Sequence, residues 1–208
     1  MTVRSLLCSA FGFAICLTAV ARVSAEEKQL NWKPLMDGKT TAGWHKVGDG
    51  TWTVEEGAFV GRADNAKLYG LLVSDEVYRD FTVRFKFKCL SGDSGFYVRT
   101  ILKDPDQAHG LQIQVGPAGS GAGGIYESYG RAWIVKPTLE QEEKLLRKDD
   151  WNDMVIAAHG GKVTVQLNGT QTAELKDETS RAEGHFALQM HSGTVMHVMF
   201  KDIEIAKD

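Results

Sequence analysis

The sequence predicts an all-β protein, a two-sheet antiparallel sandwich or jelly roll with one short helix. Three observations carry that expectation. From Phe81 to Lys88, apolar Phe81, Val83, Phe85 and Phe87 alternate with polar Thr82, Arg84, Lys86 and Lys88, the period of a strand with one dry and one wet face. The same alternation recurs along the chain, punctuated by Gly160-Gly161 and Asn168-Gly169, dipeptides that tolerate the positive φ of tight hairpins. Helical periodicity occurs convincingly only over Thr138 to Arg147, after Pro137, where Thr138 and Gln141 have the spacing of a capping box. Many short strands without intervening helices point to packed antiparallel sheets rather than a parallel α/β sheet.

In chain order, residues 1–25 read as a secretory leader, with Arg4, an apolar stretch from Leu6 to Val20, and Val23-Ser24-Ala25 before the charged Glu26-Glu27-Lys28. The stretch is shorter than the roughly 20 residues that span a bilayer, so no membrane anchor is expected after cleavage. A periplasmic or secreted protein is expected, with residues 26–208 as one sandwich domain. Without Arg4 and Arg22, 22 of the 24 basic residues face 27 acids, a formal charge of −5 that disfavours nucleic acid as partner. Only Cys89 of the three cysteines lies outside the leader, so no internal disulfide forms and Cys89 reads as a strand-end packing residue. The remaining strands are expected at Trp52 to Val54, Ala58 to Gly61, Gly95 to Arg99, Leu111 to Val115, Met154 to His159, Lys162 to Leu167, His185 to His191 and Met196 to Ile205.

The chemistry lies on the wet side of these strands. With Leu111, Ile113 and Val115 turned inward, Gln112 and Gln114 must face out. The same rule exposes Tyr97 and Arg99 beside Phe96 and Val98, and Gln189 and His191 beside Phe186, Leu188 and Met190. As neighbours, these strands would present amides, a guanidinium and an aromatic ring, groups that suit the hydroxyls and apolar faces of a saccharide. A second cluster, Gly124 to Trp133, reads as a loop carrying Tyr126, Glu127, Arg131 and Trp133. Glu127 is the expected general acid or base with Arg131 as its charge partner, and His191 the second proton-transfer candidate. His109 is placed at the site edge, and Asp93 either caps the turn before Ser94-Gly95 or lines the pocket. Gly119, Gly121 and Gly124 fit a G-x-G-x-x-G pattern, but no helix follows them, so they read as a flexible loop rather than a nucleotide site. No cofactor is expected, and no compact Asp/Asn cluster marks a calcium site.

Several landmarks are familiar together: Pro34-Leu35-Met36-Asp37-Gly38-Lys39 before Gly43-Trp44, Trp52-Thr53-Val54-Glu55-Glu56-Gly57, Tyr78-Arg79-Asp80-Phe81, Ser94-Gly95-Phe96-Tyr97-Val98-Arg99, Gly124-Ile125-Tyr126, Trp151-Asn152, Leu167-Asn168-Gly169, Gly184 to His191, and Phe200-Lys201-Asp202-Ile203. In this order and spacing the chain resembles the 3-keto-disaccharide hydrolase domain family, formerly domain of unknown function 1080, a concanavalin A-like lectin/glucanase sandwich. The resemblance implies cleavage of glycosidic bonds in sugars oxidised at carbon 3. Elimination across C1–C2 followed by hydration, and direct hydrolysis by paired carboxylates, are both open. Relatives often carry Glu where this chain has Gln112, and an amide neither titrates nor offers a carboxylate. A non-catalytic carbohydrate-binding module of the same fold is therefore the rival reading, and a structural sandwich with no saccharide affinity a third.

Overall fold

The structure is a computed structural model in which residues 30–206 are described; the expected leader at 1–25 lies outside them. The chain first forms β1 (Lys33–Pro34), β2 (Trp44–Gly48), β3 (Thr51–Glu55), β4 (Ala58–Asp64) and β5 (Gly70–Tyr78). Next come β6 (Phe81–Ser91), β7 (Ser94–Lys103), β8 (Gln107–Val115), β9 (Ile125–Ser128), β10 (Ala132–Val135) and α1 (Leu139–Leu145). The last five strands are β11 (Asn152–His159), β12 (Lys162–Leu167), β13 (Thr170–Lys176), β14 (Gly184–Met190) and β15 (Val195–Ala206).

They pack as two antiparallel sheets. One runs β13-β12-β11-β6-β15-β4-β3, with β1 also paired to β15; the other runs β10-β9-β8-β7-β14-β5-β2. Phe81, Val83, Phe85 and Phe87 of β6 are all buried, as the alternation requires, and they meet Phe96 and Phe186 of the opposite sheet. The Phe85 and Phe96 rings stack at 4.4 Å, and Tyr78 stacks on Phe186 at 4.2 Å. Each such side chain contributes about 1.5–3 kcal/mol of burial, so a sandwich without a disulfide is held by its aromatic seam. Cys89 lies near the end of β6, paired with Val198 of β15: its Sγ lies 3.1 Å from the Gly92 carbonyl, and burial pushes the thiol up to about 12.

Local chemistry explains the turns. Asn168 and Gly169 both have positive φ, at 49° and 81°, and join β12 to β13. The capping box of α1 is present: Gln141 N–H donates to Thr138 Oγ1 and Thr138 N–H donates to Gln141 Oε1. Differences from expectation have identifiable causes. The segment expected as a loop around Tyr126 is the β9–β10 hairpin, an edge extension of the second sheet. β5 escaped detection because it is buried on both faces: Leu72 enters the main core, while Leu71 and Val73 pack with Tyr97, Ala108 and Ala187 on the other side.

Candidate functional site

The outer face of the second sheet carries the site. Ile113 and Leu111 of β8, Phe96 of β7 and Leu188 of β14 all enter the core, which sends Gln112, Gln114, Tyr97 and Gln189 to the opposite face. Pairing then aligns them. Ala187 opposes Tyr97, Tyr97 opposes Gln112, Gln112 opposes Tyr126, and Tyr126 opposes Trp133, a single row across five strands. From Tyr97 to Trp133 this row floors and walls a cavity of about 690 Å³, which Asp93, Gln114, Gln189 and His191 also line. That volume falls within the usual range for small-molecule sites.

Asp93 sets the direction of the amides. A carboxylate accepts only, so Gln114 must present Nε2 to Asp93 Oδ2 (2.7 Å), and its Oε1 then accepts from Gln112 Nε2 (2.6 Å). Gln112 Oε1 is left as an acceptor without a partner among the described residues. Gly95 makes room for this arrangement, because a Cβ there would stand 2.4 Å from Gln112 Cγ. The Gln189 side-chain amide, from the adjacent β14, likewise has no protein partner among the described residues, although the residue is only 4% exposed. Tyr97 is spent as floor: its hydroxyl meets Ser128 Oγ at 2.8 Å, and burial pushes it above the ordinary tyrosine range.

His191 stands just beyond β14. Its Nδ1 lies 2.7 Å from the Ser192 carbonyl, which can only accept, so the neutral ring carries its proton on Nδ1 and offers Nε2 as a base. Nε2 lies 3.5 Å from the Tyr69 hydroxyl, the two rings meeting edge to face at 5.0 Å. Tyr69 is itself anchored, its main-chain N–H donating to Asp106 Oδ2 at 3.0 Å. Both Tyr69 and Asp106 line the cavity. Sequence reading missed them because they sit on connections, where no periodicity marks a face.

Four expected site residues require correction. Arg99 does not face outward: β7 shifts register against β8 between Val98 and Ile101, Arg99 takes φ 50°, and its guanidinium is 2% exposed. It donates to the carbonyls of Arg79 and Gly160 and to Asp80 Oδ1, tying the two sheets together. Glu127, though at the cavity rim, pairs with core-facing Leu111, so its side chain lies on the opposite side of β9 from Tyr126. There it accepts from the backbone and guanidinium of Arg131, which hold it below the usual carboxylate range and leave it unsuited as a general acid. Arg131 is not a cavity residue; it bridges Glu127 to Asp177 at 2.6 Å. His109 does not line the main cavity itself; it stacks at 4.5 Å on Tyr129, which does, and lines an adjoining cavity of about 220 Å³ that shares Glu127, Ser128, Tyr129 and Gly130 with it.

The glycine loop is not flexible either. The N–H groups of Gly119, Gly121 and Ala122 donate to the carboxylate of Glu142, a residue of α1 that is 1% exposed. The backbone nest that would suit an external anion is thus filled by the chain's own acid. Gly121 needs its φ of 89°, and a Cβ there would lie 2.4 Å from the Trp133 ring, so the clamped loop also backs the aromatic wall. Lys136 Nζ lies over the other part of that wall, 4.9 Å from the Trp133 ring centre. No group of three or more His, Cys, Asp or Glu among the described residues is arranged to hold a metal ion, and no described helix is long and apolar enough to cross a membrane.

Residues 31–206 match the 3-keto-alpha-glucoside-1,2-lyase-like domain family. The chain belongs to that family. Membership ties it to carbohydrate chemistry, and the solved structures it resembles share its sandwich. A proposed glycosyl hydrolase from Parabacteroides distasonis ATCC 8503 is 21% identical with a TM-score of 0.64, over 86% of this chain and 100% of the other. The carbohydrate-binding module CBM66 from Bacillus subtilis is 18% identical with a TM-score of 0.59, over 79% of this chain and 96% of the module. A galectin-like protein of unknown function from Bacillus subtilis is 14% identical with a TM-score of 0.61, over 85% of this chain and 94% of its own. At these identities the likeness establishes the fold. No curated protein matches the sequence.

Proposed function

We propose that this protein, exported by the leader at residues 1–25, cleaves glycosidic bonds of 3-keto-glycosides by eliminating the C1 substituent and hydrating the product. A ketone at C3 acidifies the C2 hydrogen, so the reaction needs a base at C2 and a donor for the ketone oxygen. The observation that carries the reading is that His191, whose Nδ1 faces the Ser192 carbonyl and leaves Nε2 as the acceptor, lines the same cavity as a Gln189 amide with no protein partner among the described residues. His191 removes the C2 proton, the Gln189 amide donates to the enolate oxygen, and Gln112 Oε1 accepts from a sugar hydroxyl. Tyr126 and Trp133, in edge-to-face contact at 5.4 Å, supply the apolar wall. Elimination is favoured over carboxylate-pair hydrolysis because Glu127, the expected general acid or base, is engaged by Arg131 on the opposite side of β9 from Tyr126.

The test is incubation of purified protein with 3-keto-trehalose and 3-keto-glucosides, with release of free sugar measured beside a His191→Gln variant. Release by the parent and its loss in the variant are expected. The second reading, a carbohydrate-binding module, rests on Gln112 standing where a carboxylate would serve catalysis; it predicts saccharide binding without release by either protein. Export is tested separately by the N-terminus of the mature chain, expected at Glu26.

A further inference from the structure

Tyr69 has no part in the proposed reaction as so far described, yet it makes the closest side-chain approach to the base. Neutral His191 donates from Nδ1 to the Ser192 carbonyl, so Nε2 can only accept, and among the described residues the sole hydroxyl within hydrogen-bond reach of it is that of Tyr69, at 3.5 Å. The backbone that carries Tyr69 is held from behind. Asp106 Oδ2 takes the Tyr69 N–H, Asp49 Oδ2 takes the N–H groups of Lys67 and Leu68, and the Tyr69 carbonyl accepts from Asp49 N–H at 3.2 Å. This connection is fixed at both ends, so the tyrosine is a positioned group and not a mobile rim residue.

In a 3-keto-glycoside, the hydrogen to be removed from C2 and the oxygen to be expelled from C1 sit on adjacent carbons. A base and an acid serving them must therefore stand side by side, as Nε2 and the Tyr69 hydroxyl do. We infer that Tyr69 is the catalytic acid that protonates the departing glycosidic oxygen, coupled to His191 in a closed proton circuit; the inference rests on the elimination reading above. The C2–H bond breaks and its proton goes to Nε2. The electron pair rests in the enolate that the Gln189 amide holds, then forms the C1=C2 bond as the ketone returns and the C1–O bond breaks, its pair remaining on oxygen, which takes the proton of Tyr69. The imidazolium then returns its proton to the tyrosinate, so one proton has moved from C2 to the leaving alcohol and both side chains are restored. No carboxylic acid is required, in keeping with a cavity whose lining carboxylates are all engaged, Asp93 by Gln114, Asp106 by Tyr69 and Glu127 by Arg131.

The experiment compares two 3-keto-glucosides differing only in leaving group, methanol and 4-nitrophenol, with the full-length parent and Tyr69→Phe. An acid is needed for the poor leaving group and dispensable for the good one. Tyr69→Phe is expected to lower kcat on the methyl glycoside by about 100-fold or more, the usual scale of general acid catalysis, and on the nitrophenyl glycoside by less than about tenfold. Equal losses on both substrates, or no loss on either, overturn the assignment, since a merely structural tyrosine has no means to sense the leaving group. If the variant does not fold, the parent alone decides: nearly equal kcat on the two glycosides supports an acid at the leaving oxygen, and a steep preference for nitrophenol overturns it. A parent that binds these sugars but cleaves neither strikes the elimination reading itself, whereas a parent active on both with an equally impaired variant strikes only Tyr69.

Discussion

Glu142 offers the sharpest test of how the site is built. Its carboxylate accepts N–H groups from Gly119 at 3.0 Å, Gly121 at 2.7 Å and Ala122 at 2.5 Å, in a pocket where the residue is 1% exposed. Glu142→Ala leaves three inward-facing donors without an acceptor. At about 1–3 kcal/mol for each unsatisfied buried group, with entering water recovering part of the loss, the expected cost is about 3–6 kcal/mol. Glu142→Gln keeps one oxygen, which can still serve Gly121 and Ala122, but turns an NH2 toward the Gly119 N–H; the expected cost is about 1.5–3 kcal/mol. Urea unfolding followed by tryptophan fluorescence reads both. With a slope of roughly 2 kcal/mol per molar, the Gln variant shifts the midpoint down by about 1 M and the Ala variant by about twice that. Unchanged midpoints in both variants would refute the view that a buried glutamate clamps the glycine loop.

Other consequences follow from the same geometry. Gly95→Ala sets a Cβ 2.4 Å from Gln112 Cγ and pushes the amide out of line, so KM for a 3-keto-glucoside should rise about tenfold, worth ~1.4 kcal/mol of binding, with the melting temperature nearly kept; an unaltered KM would remove Gln112 from the binding face. Arg99→Met removes three donors that join the two sheets and should cost about 3 kcal/mol in urea unfolding, while a variant of parental stability that lost saccharide affinity would restore Arg99 to the site. Glu127 is held below the usual carboxylate range by Arg131, and Glu55 is lowered from 4.5 to about 2 by Arg62. Both carboxylates are lowered on folding, so the stability they add is present above their unfolded values and is lost as pH falls through the folded ones. Melting temperature should therefore decline between about pH 4.5 and 2, less steeply in Glu127→Gln; that variant should also keep its turnover at neutral pH, and loss of turnover would return Glu127 to catalysis.

What could be read from the sequence was whatever a single buried face controls. β6 and β12 alternate because one side is core and the other is wet, and the same apolar–polar alternation in β8 and β14 placed Gln112, Gln114 and Gln189 on a common surface, although the three amides are themselves buried there. The capping box at Thr138 was legible because it is a local exchange of hydrogen bonds. β5 was not, since Gly70-Leu71-Leu72-Val73 is apolar on both sides and shows no alternation. Arg99 was misplaced by the opposite failure: alternation was correctly read, but the bulge after Val98 reverses it and nothing in the local residues announces the bulge. Tyr69 reaches His191, and Asp106 reaches Tyr69, only through the tertiary fold, and Glu142 looks like any helix-surface acid until the glycine loop is laid over it.

Proton removal from C2 is the decisive step, and cleavage of a 3-keto-glucoside in D2O tests it directly. Elimination and hydration return a solvent hydrogen to C2, so the freshly released 3-keto-sugar should carry one deuterium there beyond the exchange of the free sugar alone, seen by NMR or mass spectrometry. A product that keeps its original hydrogen at C2 would show that the glycosidic bond breaks by direct hydrolysis and that His191 is not the base at that carbon.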